Sequence, residues 1–264
     1  MTGPLNRKWH IGALTNTGVK RRERPNEDSV GVFQPRFDPR PPLIVVADGM
    51  GGYKGGALAS RIVAETFQRE YKKAPAGLPI ANLLNRLVAT AHTELIRAAN
   101  KDKSLDNMGS TVVAAVLGPE RVGIVNVGDS RAYLFRQGVL RQISTDQSRV
   151  AELQQAGQVT EEDARQHPQR SYLTMSISPK RKDVHPVVAE EKVNEGDILL
   201  LCSDGLWNTL SETEIATVLA ELEPQPAAEK LVDMANISHA ADNVSVIVAR
   251  QGRRLVVMND DTEN

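Results

Sequence analysis

The sequence predicts an α+β fold: a four-layer α-β-β-α sandwich of two mainly antiparallel sheets, with one inserted segment lying over them. Three observations predict it. Short apolar, β-branched runs bounded by Gly and Pro recur along the chain, and in its middle they follow one another too closely for helical crossovers. Two long stretches in the first half carry helical periodicity. Two shorter ones separate the last strands, so each sheet has helices to cover its outer face.

Ile11–Leu14, Ser29–Phe33 and Leu43–Ala47 read as strands, and proline-rich 34–42 as a loop. A helix is expected from about Gly56 to Lys73, where Ala59, Ile62, Val63, Phe67 and Tyr71 keep helical spacing. A second runs from about Pro79, which suits a first turn, to Asn100. Its stripe is Ile80, Leu83, Leu84, Leu87, Val88, Ala91 and Leu95. Four strands follow at Thr111–Leu117, Arg121–Val127, Arg131–Arg136 and Val139–Ile143, the last two joined by a Gln137-Gly138 hairpin turn. Polar 144–186 interrupts this pattern and reads as the insertion, with short helices at Arg149–Ala156 and Thr160–Gln166. Strands return at Val187–Val193, Asp197–Ser203 and Val244–Arg250, with helices near Glu212–Glu221 and Pro226–Asn236 between the last two. Leu255–Met258 is a candidate edge strand, and polar 259–264 a frayed tail. A single domain of residues 1–264, with its core at 9–250, is expected.

Lys plus Arg number 32 against 33 Asp plus Glu, so no global charge recruits nucleic acid, and an anionic substrate needs a local site. No apolar run reaches membrane-spanning length, and the basic first residues lack a signal-peptide core. Cys202, the one cysteine, has no disulfide partner in the chain and lies in an apolar strand, where a buried structural role fits better than a nucleophile. These features predict a cytoplasmic protein and, as its simplest state, a monomer.

Five aspartates share one context, beside a glycine or a tight turn at the end of an apolar run: Asp28, Asp48, Asp129, Asp204 and Asp242. Any one is explained as a turn residue. Five together are not, because strand ends along one sheet edge converge, and converging like charges require a cation. Oxygen donors without Cys or His favour a hard ion, Mg²⁺ or Mn²⁺. Two such ions about 3.5–4 Å apart would lower the pKa of a shared water and clamp a phosphoryl group for in-line attack.

The chain resembles the protein phosphatase 2C family, the metal-dependent (PPM) phosphatases, and in particular its bacterial branch. The landmarks arrive in family order from about Trp9 to Arg250. They are Asn26-Glu27-Asp28, Val46-Ala47-Asp48-Gly49-Met50-Gly51-Gly52, Met108-Gly109-Ser110-Thr111, Val127-Gly128-Asp129-Ser130-Arg131, Ser203-Asp204-Gly205 and Asp242-Asn243. The resemblance implies a metal-dependent phosphoserine/phosphothreonine protein phosphatase acting on a Ser/Thr kinase or its substrates. It implies that Asp48 bridges two ions and the Gly49 carbonyl binds one of them. Asp204 and Asp242 would hold the first ion, and Glu27 and Asp28 would act around the second through water. Asp129, with Asp204, would bind a looser third ion. Asn243 either orients the Asp242 turn or is simply part of it. A non-catalytic binding module of the same fold and a hydrolase of small phosphate esters are the alternatives; the intact aspartate set argues against the first.

Three departures from the family pattern stand out. The phosphate-binding arginine before Asn26 falls in a long basic stretch where Arg22 and Arg24 both qualify and Arg21 is a third candidate. Met50 stands where eukaryotic relatives carry a histidine, and it cannot donate a proton to a leaving group. In the insertion, a mobile flap in the family, Gln147 replaces a frequent histidine, Thr174-Met175-Ser176-Ile177-Ser178 replaces an arginine-containing segment, and His167 is expected to be structural. Altered substrate preference or flap motion is the expected consequence.

Overall fold

The computed structural model describes residues 8–34, 40–52, 54–75, 77–160, 163–164 and 167–252. The first sheet orders β1 (Trp9–Asn16), β11 (Val244–Gln251), β10 (Ile198–Cys202), β7 (Arg131–Arg136) and β8 (Val139–Gln142). The second orders β2 (Asp28–Phe33), β3 (Leu43–Met50), β5 (Val112–Leu117), β6 (Arg121–Val127) and β9 (Val187–Lys192), and two-residue β4 (Gly109–Ser110) pairs with the end of β3. Every pairing between these strands is antiparallel. The long helices α1 (Lys54–Lys73) and α2 (Ile80–Lys101) cover the second sheet. α4 (Asp204–Trp207), α5 (Glu212–Glu221) and α6 (Pro224–Ile237) lie on the first, and α3 (Arg149–Gln155) belongs to the insertion.

Alternation along each inner strand separates three apolar layers. On β3, Leu43, Val45 and Ala47 face α1 and α2, whereas Ile44 and Val46 face the other sheet. On β10, Ile198, Leu200 and Cys202 face α5 and α6, whereas Leu199 and Leu201 point between the sheets. Strands buried on both faces read as continuous apolar runs, which is how they stood out in the sequence. Cys202 is fully buried, and burial pushes its thiol well above the ordinary range, so it is inert packing. No described helix is long and apolar enough to cross a membrane.

Several elements differ from expectation. β3 runs on through Asp48 and Gly49 to Met50, because there it exchanges β5 for β4 as its partner. Asp48 is therefore inside a strand rather than at its end. α4 and β4 have no counterpart among the expected elements, since four and two residues carry no measurable periodicity. The expected helix 160–166 lies partly outside the described residues; the Leu255–Met258 strand and the 259–264 tail lie wholly outside them.

Candidate active site

The acidic residues gather at one end of the two facing sheets. Register places Asp28 directly opposite Asp48 across the β2–β3 pair. Asp129 sits in the β6–β7 turn, Asp204 opens α4 directly after β10, and Asp242 precedes β11. A cleft of 640 Å³ is lined by Glu27, Asp48, Asp129, Asp204 and Asp242 together with Gly49, Met50, Gly51 and Gly52. Asp28 is buried beneath it and accepts a hydrogen bond from Ser203 Oγ at 2.7 Å. The Asp48 amide donates to Thr111 Oγ1 at 3.1 Å, and Thr111 in turn bonds the buried Ser130 hydroxyl at 2.7 Å. Main chain comes very close here. A Cβ on Gly49 would strike the Gly56 and Glu27 carbonyls, and one on Gly205 the Asn243 carbonyl.

Arg21 reaches these carboxylates. Gly18, at φ 76°, turns the chain into a single 3-10 turn, Val19–Arg21. Arg21 then forks onto Asp242, with Nη1 2.7 Å from Oδ1 and Nη2 2.8 Å from Oδ2, and Nη1 also lies 3.3 Å from Glu27 Oε2. Arg24 lines the cleft rim. Arg22 is exposed and is not among the cleft-lining residues: the tight turn aims Arg21 inward and leaves its neighbour in solvent. Asn243 does more than shape a turn. Its Oδ1 accepts from the Glu27 amide at 2.9 Å and its Nδ2 donates to the Thr17 carbonyl at 2.9 Å, latching three segments together.

A support on the far side of Asp129 has no precursor in the sequence pattern. Trp207 Nε1 donates to the Asp129 carbonyl at 3.0 Å, and the Arg131 guanidinium lies 3.6 Å from the centre of the indole ring. Arg131 is itself held by Asp146 through two bonds of 2.9 and 2.8 Å. Gln147, one of the departures noted in the insertion, accepts from the Gly128 amide at 3.1 Å and donates its main-chain amide to the Gly128 carbonyl at 2.8 Å. Its Nε2 also donates to the His185 carbonyl at 2.8 Å. This glutamine ties the insertion to the Asp129 turn. His167 Nδ1 accepts the Gln169 amide at 3.1 Å within its own turn, and Met175 packs against the α1–α2 core.

Electrostatically the site is strained. Burial pushes Asp28 up to about 6 and Asp129 up to about 7. Burial, reinforced by the surrounding aspartates, carries Asp48 and Asp204 well above the carboxylate range. Burial also raises Glu27 and Asp242, against the opposing pull of Arg21. Glu27 Oε1, Asp28 Oδ1 and Asp204 Oδ1 are buried without a hydrogen-bond partner among the described residues. Orphaned buried oxygens are costly unless a cation satisfies them. Among the described residues no imidazole or thiolate lines the cleft, so the donor set fits a hard divalent ion. Among the described residues no three acidic, imidazole or thiol groups form a closed ligand set by themselves. Main-chain carbonyls and water would have to complete the sphere of any ion held here, as is usual for Mg²⁺.

Two antiparallel sheets carrying an oxygen-lined anionic cleft, with an arginine fork among its carboxylates, are what a metal-assisted hydrolase of phosphate esters requires. The chain belongs to the protein phosphatase 2C family, whose model matches residues 17–239. It is 35% identical over 247 residues to the serine/threonine phosphatase stp of Listeria monocytogenes, covering 92% of this chain and 96% of the relative. The fold superposes on the serine/threonine phosphatase Stp1 from Staphylococcus aureus with TM-score 0.85 at 32% identity, covering 95% and 98% of the two chains. It also superposes on the catalytic domain of the serine/threonine protein phosphatase PstP in complex with two manganese ions, with TM-score 0.80 at 31% identity over 93% and 99%.

Proposed function

We propose that this chain is a metal-dependent protein phosphatase that hydrolyses phosphoserine and phosphothreonine in other proteins. The observation that carries the reading is the set of buried, partnerless carboxylate oxygens of Glu27 and Asp204 in one cleft and Asp28 beneath it, beside an arginine fork. Mn²⁺ or Mg²⁺ would be held by Asp48, the Gly49 carbonyl, Asp204 and Asp242, with Glu27 and Asp28 alongside and Asp129 contributing to a third position. When bound, the ions supply Lewis acidity, which activates water and neutralises phosphoryl charge. In this structure the Arg21 fork is engaged with Asp242; once ions take that carboxylate, its planar N–H donors, with Arg24 beside them, would be released to two phosphoryl oxygens and orient the ester over the carboxylate floor. Ser203 fixes the Asp28 carboxylate from below, and the Asn243 latch sets the distance between Glu27 and Asp242. Met50 gives the leaving oxygen no proton, so acid help at that position would fall to metal-bound water or be smaller.

The lone buried cysteine suits a cytoplasmic setting, where Ser/Thr kinases and their targets would be the partners of a monomeric enzyme. The test is turnover of phosphoserine, phosphothreonine and phosphotyrosine peptides, with p-nitrophenyl phosphate alongside, in Mn²⁺ and in EDTA. Asp204→Ala should lower kcat/KM at least about a hundredfold. It should not lower the melting temperature, because the residue it removes is a repelled, partly orphaned charge. Metal-independent turnover, or full activity in the variant, would sink the ligand assignment. Turnover of p-nitrophenyl phosphate alone would point to small esters, and no turnover at all to a binding module.

A further inference from the structure

Large apolar side chains exposed among the described residues are few: Val32, Val139, Tyr172 and Ile237. Of these, Tyr172 alone lines the acidic cleft. It is 64% exposed, and its side chain makes no hydrogen bond, ion pair or ring contact with another described residue. Its main chain, by contrast, is pinned on both sides. Its carbonyl accepts the Arg149 amide at 2.8 Å at the start of α3, and its own amide donates to the Gln169 carbonyl at 3.0 Å. The next residue, Leu173, bridges to Ser148. An aromatic ring held bare on a fixed backbone has already met the ordering cost of its main chain, and it offers a large apolar face to whatever enters.

What enters is a phosphorylated side chain on a polypeptide, if the chain is the protein phosphatase proposed above. Its phosphoryl group belongs among the carboxylates and Arg21, at the cleft floor. The residue next to it then meets the rim, where the uncharged Tyr172, Leu173, Met50 and Pro25 stand with the exposed cation Arg24. We propose that Tyr172 is a specificity-determining residue that covers an apolar side chain adjacent to the phosphorylated serine or threonine. The substrate preference is then written at one ring of the insertion, outside the chemistry.

The experiment uses the full chain with Mn²⁺ and phosphothreonine peptides carrying Leu, Ala, Glu or Arg immediately before or after the phosphoresidue. The wild type should favour Leu over Ala at one of these positions by about five- to tenfold in kcat/KM. Tyr172→Ala should bring that ratio close to one by raising KM for the Leu peptide more than for the Ala peptide, with the change lying in KM rather than kcat. Tyr172→Phe should keep the preference. An unchanged Leu-to-Ala ratio in Tyr172→Ala refutes the subsite. So does a wild-type preference for Glu or Arg, or a parallel fall in kcat on every peptide, which would mark a purely structural residue. Wild-type turnover of p-nitrophenyl phosphate with no peptide turned over refutes the protein-substrate reading and the subsite with it.

Discussion

Arg21 shows how much one residue's placement depends on a turn. Three arginines crowd 21–24, and nothing in their spacing ranks them. The choice is made by Gly18 at positive φ and the 3-10 turn behind it, features that a run of basic residues conceals. Arg21→Ala should therefore lower kcat/KM on phosphopeptides by about ten- to a hundredfold, since it removes a bidentate donor. Arg22→Ala should stay within about twofold. Steady-state kinetics of the two variants decide it, and equal losses would refute the assignment. The aspartates were legible because five Asp-turn contexts in one chain are hard to explain as turns alone. Their supports were not. Ser203, Thr111 and Asn243 are hydroxyl and amide residues of kinds common in any turn, and only tertiary contact reveals them as partners of Asp28, Asp48 and Glu27. Trp207 gave no signal at all, because its hydrogen bond crosses 78 positions of sequence.

At the level of elements, long helices and doubly buried strands were legible, because periodicity accumulates over their length. Short elements that depend on a partner were not, and β4 exists only because β3 needs one beyond β5. The insertion is held the same way, by contacts from outside it. Ser110 and Ile177 exchange main-chain hydrogen bonds of 2.9 Å. His92 on α2 lies with Nε2 3.0 Å from the Ser178 carbonyl and 3.1 Å from the Arg181 carbonyl. Both partners can only accept, so Nε2 carries the proton and donates to both. His92→Ala takes this donor from the Arg181 carbonyl and leaves the Ser178 carbonyl with the Arg181 amide alone, a cost of about 1–3 kcal/mol. Amide hydrogen exchange around 178–181 should accelerate by about ten- to a hundredfold, while β5 amides keep their protection. Unaltered exchange at that loop would show that the histidine does not hold the insertion.

For the whole molecule, the cleft sets a conflict between folding and function. Each raised carboxylate binds protons more tightly in the folded chain than in the unfolded one. Its contribution is therefore neutral below the ordinary carboxylate pKa of about 4 and increasingly unfavourable as pH rises through its folded value. Asp28 and Asp129 place that window between about 4 and 7, and Asp48 and Asp204 extend it upward. In EDTA the melting temperature should fall between pH 5.5 and 8, and Asp204→Asn should flatten the fall. Millimolar Mn²⁺ at pH 7.5 should raise it, by linkage to the folded state. Scanning fluorimetry over that pH range tests all three, and a metal-free melting temperature that climbs toward pH 8 would rule out the buried carboxylates as its cause.

The position of β11 bears on how such a protein comes into being. It is the last described strand in the chain, yet it lies between β1 and β10, inside its sheet rather than at an edge. Its partner β1 is the first, so Trp9 pairs with Gln251 across nearly the full length. During synthesis β1 must wait for almost everything else before it finds its neighbour, and long-range pairing of this kind is slow. Asp242, two residues before β11, arrives at the cleft in the same late step. Until Asp242 and β11 have been made, a nascent chain therefore has most of its acidic residues but no assembled cleft, and the proposed hydrolytic competence waits for the sheet to close.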